Sequence, residues 1–592
     1  MGTMLDNKDT IDPITEQHIS EWLNGPYDDE TKATIKKLLI ENPKEIIDAF
    51  YTTLSFGTGG LRGLMGVGTN RMNSYTVSRA TQGLANYLKK ESKADTPLSV
   101  FIGYDSRHHS KSFAESAARV LAANGIHVYL CPEIRPTPFV SFGCRYKHCS
   151  AAIMVTASHN PKEYNGYKVY WNDGAQVLPP HDVGIIDEVN KITKLEQVKL
   201  VSTIHNSHIE YVDLSLDTAY LEAIKNLQLY PEKNKTHGDK IKVVYTSLHG
   251  TGITLAPRAF ADCGFINISY VEKQCIPDGD FPTLKSPNPE EKLALKLGIE
   301  LLEKIEGDLL IATDPDADRV GVAVRHLGEV VILNGNQVAC ILLYHICEAL
   351  IATNKMAENA AFIKTIVTTE LFKEIANSYN KECFDVLTGF KYIAEKIREW
   401  ESTENGPQYI FGGEESYGYL FGTIVRDKDA ISTATLIVEA ALQAKLQEKT
   451  LVDLLHEIYK KFGVFVENLI SVKFDETKLG KEQMQKGMEN IEKNPPKIIN
   501  GIAVISLENY AKSTKTDLTT GKVEKLVLPQ SDVLIFRLED GSKLIVRPSG
   551  TEPKIKIYGG VVVKEFENIE SAFKEGQKKV ETLLDALKKC MI

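Results

Sequence analysis

Three similar α/β domains with mixed, mainly parallel sheets, followed by an α+β domain, are the fold class predicted for this chain of 592 residues. Two observations predict it. Up to about residue 462, strand-like apolar runs alternate with helical stretches three times over, and the pattern then gives way to a hairpin signal and a terminal helix. A chain of this length also exceeds what one hydrophobic core supports, so several domains are expected.

In the first region, 98–102 reads as a strand, 113–123 as a helix, 126–130 as a strand and 151–155 as a buried strand. The second repeats the alternation with a strand at 241–245, a helix at 290–305 and a strand at 309–312. The third does so through 361–367, 371–378, 393–400 and the apolar Tyr409-Ile410-Phe411. Beyond residue 463, strands at 533–536 and 544–546 flank the turn signal Glu539-Asp540-Gly541, and 569–587 is a terminal helix. The charged stretches 191–199 and 480–497 read as solvated surface. Alternating α/β regions place functional loops at the carboxyl ends of their strands.

Four segments occupy such places. Thr156-Ala157-Ser158-His159-Asn160-Pro161 follows the strand at 151–155, and Asn160-Pro161 is a turn signal. A serine hydroxyl is a poor nucleophile unless a base takes its proton or it carries a transferable group; His159 and Lys168 are the neighbouring candidates for proton transfer. An isolated Ser-His pair is usually a turn bonding its own backbone, and three further segments raise this one above that. Asp314-Pro315-Asp316-Ala317-Asp318-Arg319 follows the strand at 309–312. Alternating aspartates in a tight loop converge oxygens on one hard cation, and carboxylate-bound Mg²⁺ commonly completes its shell with phosphate. An EF-hand fails, because Arg319 stands where that loop needs glycine and Arg325 where its bidentate glutamate belongs. Gly412-Gly413-Glu414-Glu415-Ser416-Tyr417-Gly418 offers carboxylates and a hydroxyl suited to sugar hydroxyls. Arg547-Pro548-Ser549-Gly550-Thr551-Glu552-Pro553-Lys554 combines a guanidinium, hydroxyls and exposed backbone N–H groups, the parts of a phosphate cradle.

In this order and spacing the four segments resemble the α-D-phosphohexomutase family, which includes phosphoglucomutase and phosphomannomutase. The resemblance covers nearly the whole chain and is nearest the phosphoglucomutase branch that also contains phosphopentomutases and a sugar-bisphosphate synthase. It implies four domains around a central cleft, here 1–214 with the phosphoserine loop, 215–326 with the metal loop, 327–462 with the sugar loop and 463–592 with the phosphate loop. By this resemblance Ser158 is the phosphoserine, and Asp314, Asp316 and Asp318 hold Mg²⁺ together with an oxygen of its phosphate. Lys168 is then the general acid or base at the substrate hydroxyl, for which burial or the neighbouring cation is expected to depress its pKa. His159 and Arg319 flank the transfer site, and Arg62 in Gly59-Gly60-Leu61-Arg62-Gly63 is the amino-terminal active-site arginine. Glu414 and Ser416 grip sugar hydroxyls, while Arg547, Ser549, Gly550 and Thr551 hold the phosphate that is not reacting. Two positions depart from the wider family: Pro315 stands where many members have glycine, and Tyr417-Gly418-Tyr419 stand where several place a histidine.

The implied activity is Mg²⁺-dependent interconversion of glucose 1-phosphate and glucose 6-phosphate, with glucose 1,6-bisphosphate as intermediate and activator. Pentose phosphates, mannose phosphates and sugar-bisphosphate synthesis are the enzymatic alternatives. A sugar-phosphate-binding pseudoenzyme is the other, against which intact Ser158, Lys168 and three aspartates argue. Composition agrees. A formal net charge of -10 leaves no basic footprint for nucleic acid. No apolar run is read as reaching membrane-spanning length, and the amino terminus has no signal-peptide core, so a cytoplasmic location is expected. Nine cysteines without a C-x-x-C pair fit reduced thiols. Expected partners are sugar phosphates rather than nucleic acid or membrane, for a monomer or a dimer.

Overall fold

The computed structural model describes residues 11–57, 59–93, 96–474, 478–548 and 554–591. The chain divides into two compact units: residues up to Leu333 with Ala394–Ser402 and Gly418–Leu442, and Asn334–Ile393 with Thr403–Tyr417 and everything from Gln443 on.

The first unit opens with three helices that the periodicity reading did not identify, Pro13–Asn24, Asp29–Glu41 and Pro43–Phe50. Their local signals are strong: Asp12, Asp28 and Asn42 cap the amino termini through their side chains, and Pro13 and Pro43 stand at first helical positions. Ile19, Trp22, Ile35, Ile46 and Phe50 form their small core.

Six strands follow in the order Gly60–Leu64, Tyr164–Trp171, Ala151–Val155, Ser99–Tyr104, His127–Leu130 and Ile209–Tyr211. The last four pair in parallel, and the first two are antiparallel additions at one edge. The strand Ala151–Val155 is buried along its length, as its unbroken apolar run requires. A second, five-stranded sheet runs Glu329–Leu333, Val320–His326, Leu309–Thr313, Val243–Thr246, Ile268–Tyr270, again mixed. The helix expected over 290–305 forms only at Lys296–Lys304. The residues before it run through turns, with Glu291 N–H on Asn288 O at 3.0 Å and Ala294 N–H on Glu291 O at 2.9 Å, and Glu290 pairs with Arg319 at 2.7 Å.

The second unit contains parallel strands Glu382–Val386, Ala360–Thr365 and Gln408–Glu414, and beyond residue 463 an antiparallel sheet. The expected hairpin is Leu534–Leu538 against Lys543–Pro548, with Gly541 at φ 84° supplying the left-handed turn. Helix Ile569–Lys589 covers this sheet, and 480–497, expected as solvated surface, largely forms helix Lys478–Lys493. One described helix, Gly335–Ala352, is long and apolar enough to cross a membrane, which corrects the reading that no run reaches that length; 72% of it is buried inside the protein.

Candidate active site

The carboxyl ends of two strands in the first unit converge on one polar cluster. After Val155 the chain turns through Ser158, whose backbone takes the left-handed conformation at φ 52° and whose side chain is 3% exposed. Its Oγ donates to Asp314 Oδ2 at 2.7 Å and lies 3.3 Å from His159 Nδ1. Its N–H donates to Thr156 Oγ1 at 2.8 Å, closing the turn. Burial, followed by the charges of Arg319 and Arg62, lowers His159 well below the ordinary imidazole range, so its ring is neutral.

After Thr313 the second strand end carries the three aspartates at alternate positions. Ala317 at φ 50° bends the loop between them, and their oxygens lie within 4.8 Å of one another, all buried. Asp314 Oδ1 accepts the N–H groups of Asp318 and Arg319, at 3.1 and 3.0 Å. Lys168 Nζ donates to Asp316 Oδ2 at 2.8 Å and to Asp318 Oδ2 at 3.2 Å. Pro315 leaves the ligands undisturbed: its carbonyl accepts from Thr251 N–H at 2.7 Å and Thr251 Oγ1 at 2.9 Å, which anchors the loop from below.

The charges do not balance within the cluster. Burial, then the neighbouring Asp316 and Asp318, push Asp314 well above the usual carboxylate range. Burial is the largest influence on Asp316 and works against its ionisation, but the Lys168 charge together with hydrogen bonds involving Asp314, Lys168 and Thr137 outweighs it and holds that carboxyl low. Asp316 Oδ1 and Asp318 Oδ1 are buried with no hydrogen-bond partner among the described residues. Two orphaned carboxylate oxygens beside a third carboxyl under electrostatic strain fit a divalent cation, which would satisfy both oxygens and offset the excess negative charge. The donor set is oxygen only, as a hard cation requires.

Lys168 corrects one expectation. Burial would lower its pKa as predicted, but Asp316 and Asp318 outweigh burial and raise it, so the ammonium form is favoured. The strand Gly60–Leu64 is paired with that of Lys168, with Arg62 opposite Gly166, and Arg62 Nη1 donates to Asn160 Oδ1 at 3.2 Å. Ser158, His159, Lys168, Arg62, Arg319 and the aspartates are thus brought together.

Three residues at this cluster escaped the sequence reading. Thr137, at the start of helix Thr137–Tyr146, donates its Oγ1 to Asp316 Oδ2 at 2.7 Å and its N–H to Asp316 O at 2.8 Å. Lys428 Nζ lies 3.3 Å from Asp318 Oδ2 and 2.9 Å from Asp427 Oδ1. Neither bears a local signal, since only the fold brings them near. Arg107, whose guanidinium meets the Ser158 loop, had one: Asp105-Ser106-Arg107 directly follows strand Ser99–Tyr104, the place of every other functional loop.

In the second unit, Glu414 is the last residue of its strand rather than part of a loop, and its Oε1 accepts the Gly389 N–H at 2.9 Å. Ser416 follows in the turn, and Tyr417 takes a left-handed conformation at φ 67°. Arg547 lies in strand Lys543–Pro548 opposite Lys556. Ser549, Gly550 and Thr551 lie outside the described residues. Burial, reinforced by the charge of Glu414 and only partly opposed by Lys556 and Arg547, pushes Glu415 up to about 7. Its folded carboxyl is raised, so the stability it contributes is fully present below its ordinary pKa and lost as pH rises through about 7. Glu415→Gln is therefore expected to stabilise the protein by about 1–2 kcal/mol at pH 8.5 and by little at pH 5, read by thermal unfolding at both pH values.

Comparison with known proteins agrees with this geometry. Family models for phosphoglucomutase/phosphomannomutase α/β/α domains I, II and III match residues 53–196, 218–328 and 334–462. A phosphoglucomutase of Staphylococcus haemolyticus is 39% identical over 525 residues, 88% of this chain and 92% of the relative. One of Staphylococcus epidermidis is 38% identical over 563 residues, 94% and 97% of the two chains. Among solved structures, the open form of the Paramecium phosphoprotein pp63/parafusin, a phosphoglucomutase, shares the fold with a TM-score of 0.66 at 18% identity, covering 91% of this chain and 96% of its own. A phosphoglucomutase/phosphomannomutase family protein of Burkholderia thailandensis does so with a TM-score of 0.61 at 17% identity, over 90% and 98%. Carboxylates gathered under a buried serine and this level of identity over nearly whole chains lead to one conclusion: the chain belongs to the α-D-phosphohexomutase family and is a phosphoglucomutase-type mutase, an intramolecular phosphotransferase acting on sugar phosphates.

Proposed function

We propose that the protein interconverts glucose 1-phosphate and glucose 6-phosphate through glucose 1,6-bisphosphate, with Ser158 as the residue that carries the phosphoryl group. The observation that carries this reading is Ser158 Oγ, buried and 2.7 Å from Asp314 within the aspartate triad. The phosphoryl group passes from Ser158 Oγ to the free hydroxyl of a bound monophosphate; the bisphosphate reverses end for end, and the phosphoryl at its other end returns to Ser158. Asp314, Asp316 and Asp318 would hold Mg²⁺, which when bound supplies positive charge beside the transferring group.

Lys168 is the proton-transfer group at the sugar oxygen. Its Nζ takes the sugar hydroxyl proton as the phosphoryl leaves Ser158 Oγ and, as the ammonium, gives it back to the departing sugar oxygen when the phosphoryl returns; the Ser158 oxygen gains a proton in the first transfer and loses it in the second, with His159 Nδ1 at 3.3 Å as the relay. Neutral His159, with Nδ1 3.3 Å from Ser158 Oγ, orients that oxygen, and Arg62 and Arg319 add positive charge at the flanks. Glu414 and Ser416 grip sugar hydroxyls, and Arg547 with Ser549, Gly550 and Thr551 holds the distal phosphate, whose binding energy positions the reacting end. The domain limits 1–214, 215–326, 327–462 and 463–592, each with one of these loops, and a cytoplasmic location belong to the same reading.

A phosphorus NMR time course with Mg²⁺, trace glucose 1,6-bisphosphate, and glucose 1-phosphate and ribose 1-phosphate in competition tests it. Faster glucose 6-phosphate is expected; faster ribose 5-phosphate would reassign the enzyme to pentoses. Arg547→Gln is expected to raise KM for glucose 1-phosphate by about 10- to 100-fold, as loss of a charge-assisted phosphate contact does, and an unchanged KM in steady-state assays would remove Arg547 from the cradle.

A further inference from the structure

Arg107 is 3% exposed and makes its contacts with backbone. Its Nη2 donates to the carbonyls of Ser158 and Asn160, both at 2.5 Å, and its Nη1 to those of Pro161 at 2.8 Å and Tyr164 at 3.1 Å. One planar guanidinium thus gathers four carbonyls from the stretch that carries the serine, whose backbone bonds otherwise include two short turns, Asn160 N–H to Ala157 O and Tyr164 N–H to Pro161 O, and Met65 N–H to Glu163 O.

The guanidinium is itself held from two sides. Asp105 Oδ2 lies 3.3 Å from Arg107 Nε, and Asp105 Oδ1 accepts the Arg107 N–H at 3.0 Å and the Ser110 hydroxyl at 2.6 Å. The buried Phe281 ring lies 5.0 Å from the guanidinium carbon, contributed by a loop of the second sheet region. Gly279 in that loop approaches so closely that a Cβ there would meet His108 N at 2.7 Å. The contact therefore ties the serine loop to the same region that supplies the aspartates.

We propose that Arg107 is the positioning residue for the nucleophile: by gathering the carbonyls of residues 158–164 it holds Ser158 in its left-handed conformation, with Oγ turned toward Asp314. A non-glycine residue occupies that region only where its surroundings over-determine it, and four carbonyl contacts plus the Thr156 turn do so. A lysine in its place would keep the charge but not the planar fork.

The inference rests on reading Ser158 as the phosphoryl carrier, and two readouts separate the two ideas. In Arg107→Lys, kcat is expected to fall by about 10²-fold, the scale of a misplaced reacting group, while KM for glucose 1-phosphate stays within about threefold. Amide hydrogen exchange in residues 157–165 is expected to quicken by about tenfold with the rest of the chain unchanged, a readout independent of chemistry at Ser158. Should Arg107→Lys fold poorly, Phe281→Leu removes the ring face alone, and about a threefold to tenfold loss in kcat with the same local exchange gain is expected. Unchanged exchange at 157–165 in the folded variants, or activity lost only in proportion to unfolded protein, would overturn the proposal. Full activity in Ser158→Ala would instead overturn the phosphoserine reading and leave the exchange result to judge the clamp.

Discussion

Ser158→Ala is expected to lower turnover by at least about 10⁴-fold, as removal of a covalent nucleophile does, with the Kd for glucose 1-phosphate within a few-fold of wild type. The hydroxyl is buried and bonded to Asp314, so its removal deletes the oxygen proposed to carry the phosphoryl group, and the alanine methyl fits the space left behind. Sugar and distal-phosphate recognition is assigned to Glu414, Ser416 and Arg547, which the change does not touch. Stability should change little, because Asp314 loses one hydrogen bond but keeps the N–H groups of Asp318 and Arg319. Single-turnover assays with calorimetric binding check both halves, and intact-mass analysis of the wild type should show a phosphoryl group that Ser158→Ala lacks. Residual turnover near wild type would move the nucleophile elsewhere.

With Asp316 as a proposed Mg²⁺ ligand, Asp316→Asn is expected to weaken Mg²⁺ binding by at least about 10²-fold and activity by a similar or larger factor, since a group touching the metal matters more than its outer hydrogen-bond partners, whose loss already costs about 10- to 100-fold. Asp316 has two jobs in the structure. One oxygen accepts from both Lys168 and Thr137, and the other is buried without a partner, in place for a cation. Asparagine keeps the shape but removes the charge, and places an NH₂ either against the Lys168 ammonium or at the cation position. Lys168 then rests on Asp318, already close to Lys428, so two cations share one carboxylate. Titration calorimetry with Mg²⁺ and activity across Mg²⁺ concentrations read the two effects. Wild-type Mg²⁺ affinity in the variant would exclude Asp316 as a ligand.

Much of the site was legible in the chain because its residues lie in local motifs at strand ends. Ser158, His159 and the three aspartates are each within a few residues of a buried apolar run, and strand Ala151–Val155 forms where expected. The helix predicted over 290–305 forms only at Lys296–Lys304, and Glu290 instead meets Arg319, a tertiary partner that no local propensity encodes. The three amino-terminal helices are marked by their caps Asp12, Asp28 and Asn42 rather than by a strand-helix alternation, so hydrophobic period alone does not reveal them.

By itself the sequence determined the α/β class with its α+β tail, the candidate serine and aspartate loops at strand ends and, through motif order, the family. Only the tertiary structure decided which charges face one another. Lys168 was expected with a pKa depressed by burial or a neighbouring cation; the fold sets it against Asp316 and Asp318, and Coulomb attraction at short range outweighs desolvation. The same holds for Thr137, Lys428 and Arg107, which reach the cluster from distant parts of the chain. Local patterns are written in hydrophobic period and turn chemistry, whereas electrostatic partners depend on distances that exist only once the sheets have packed.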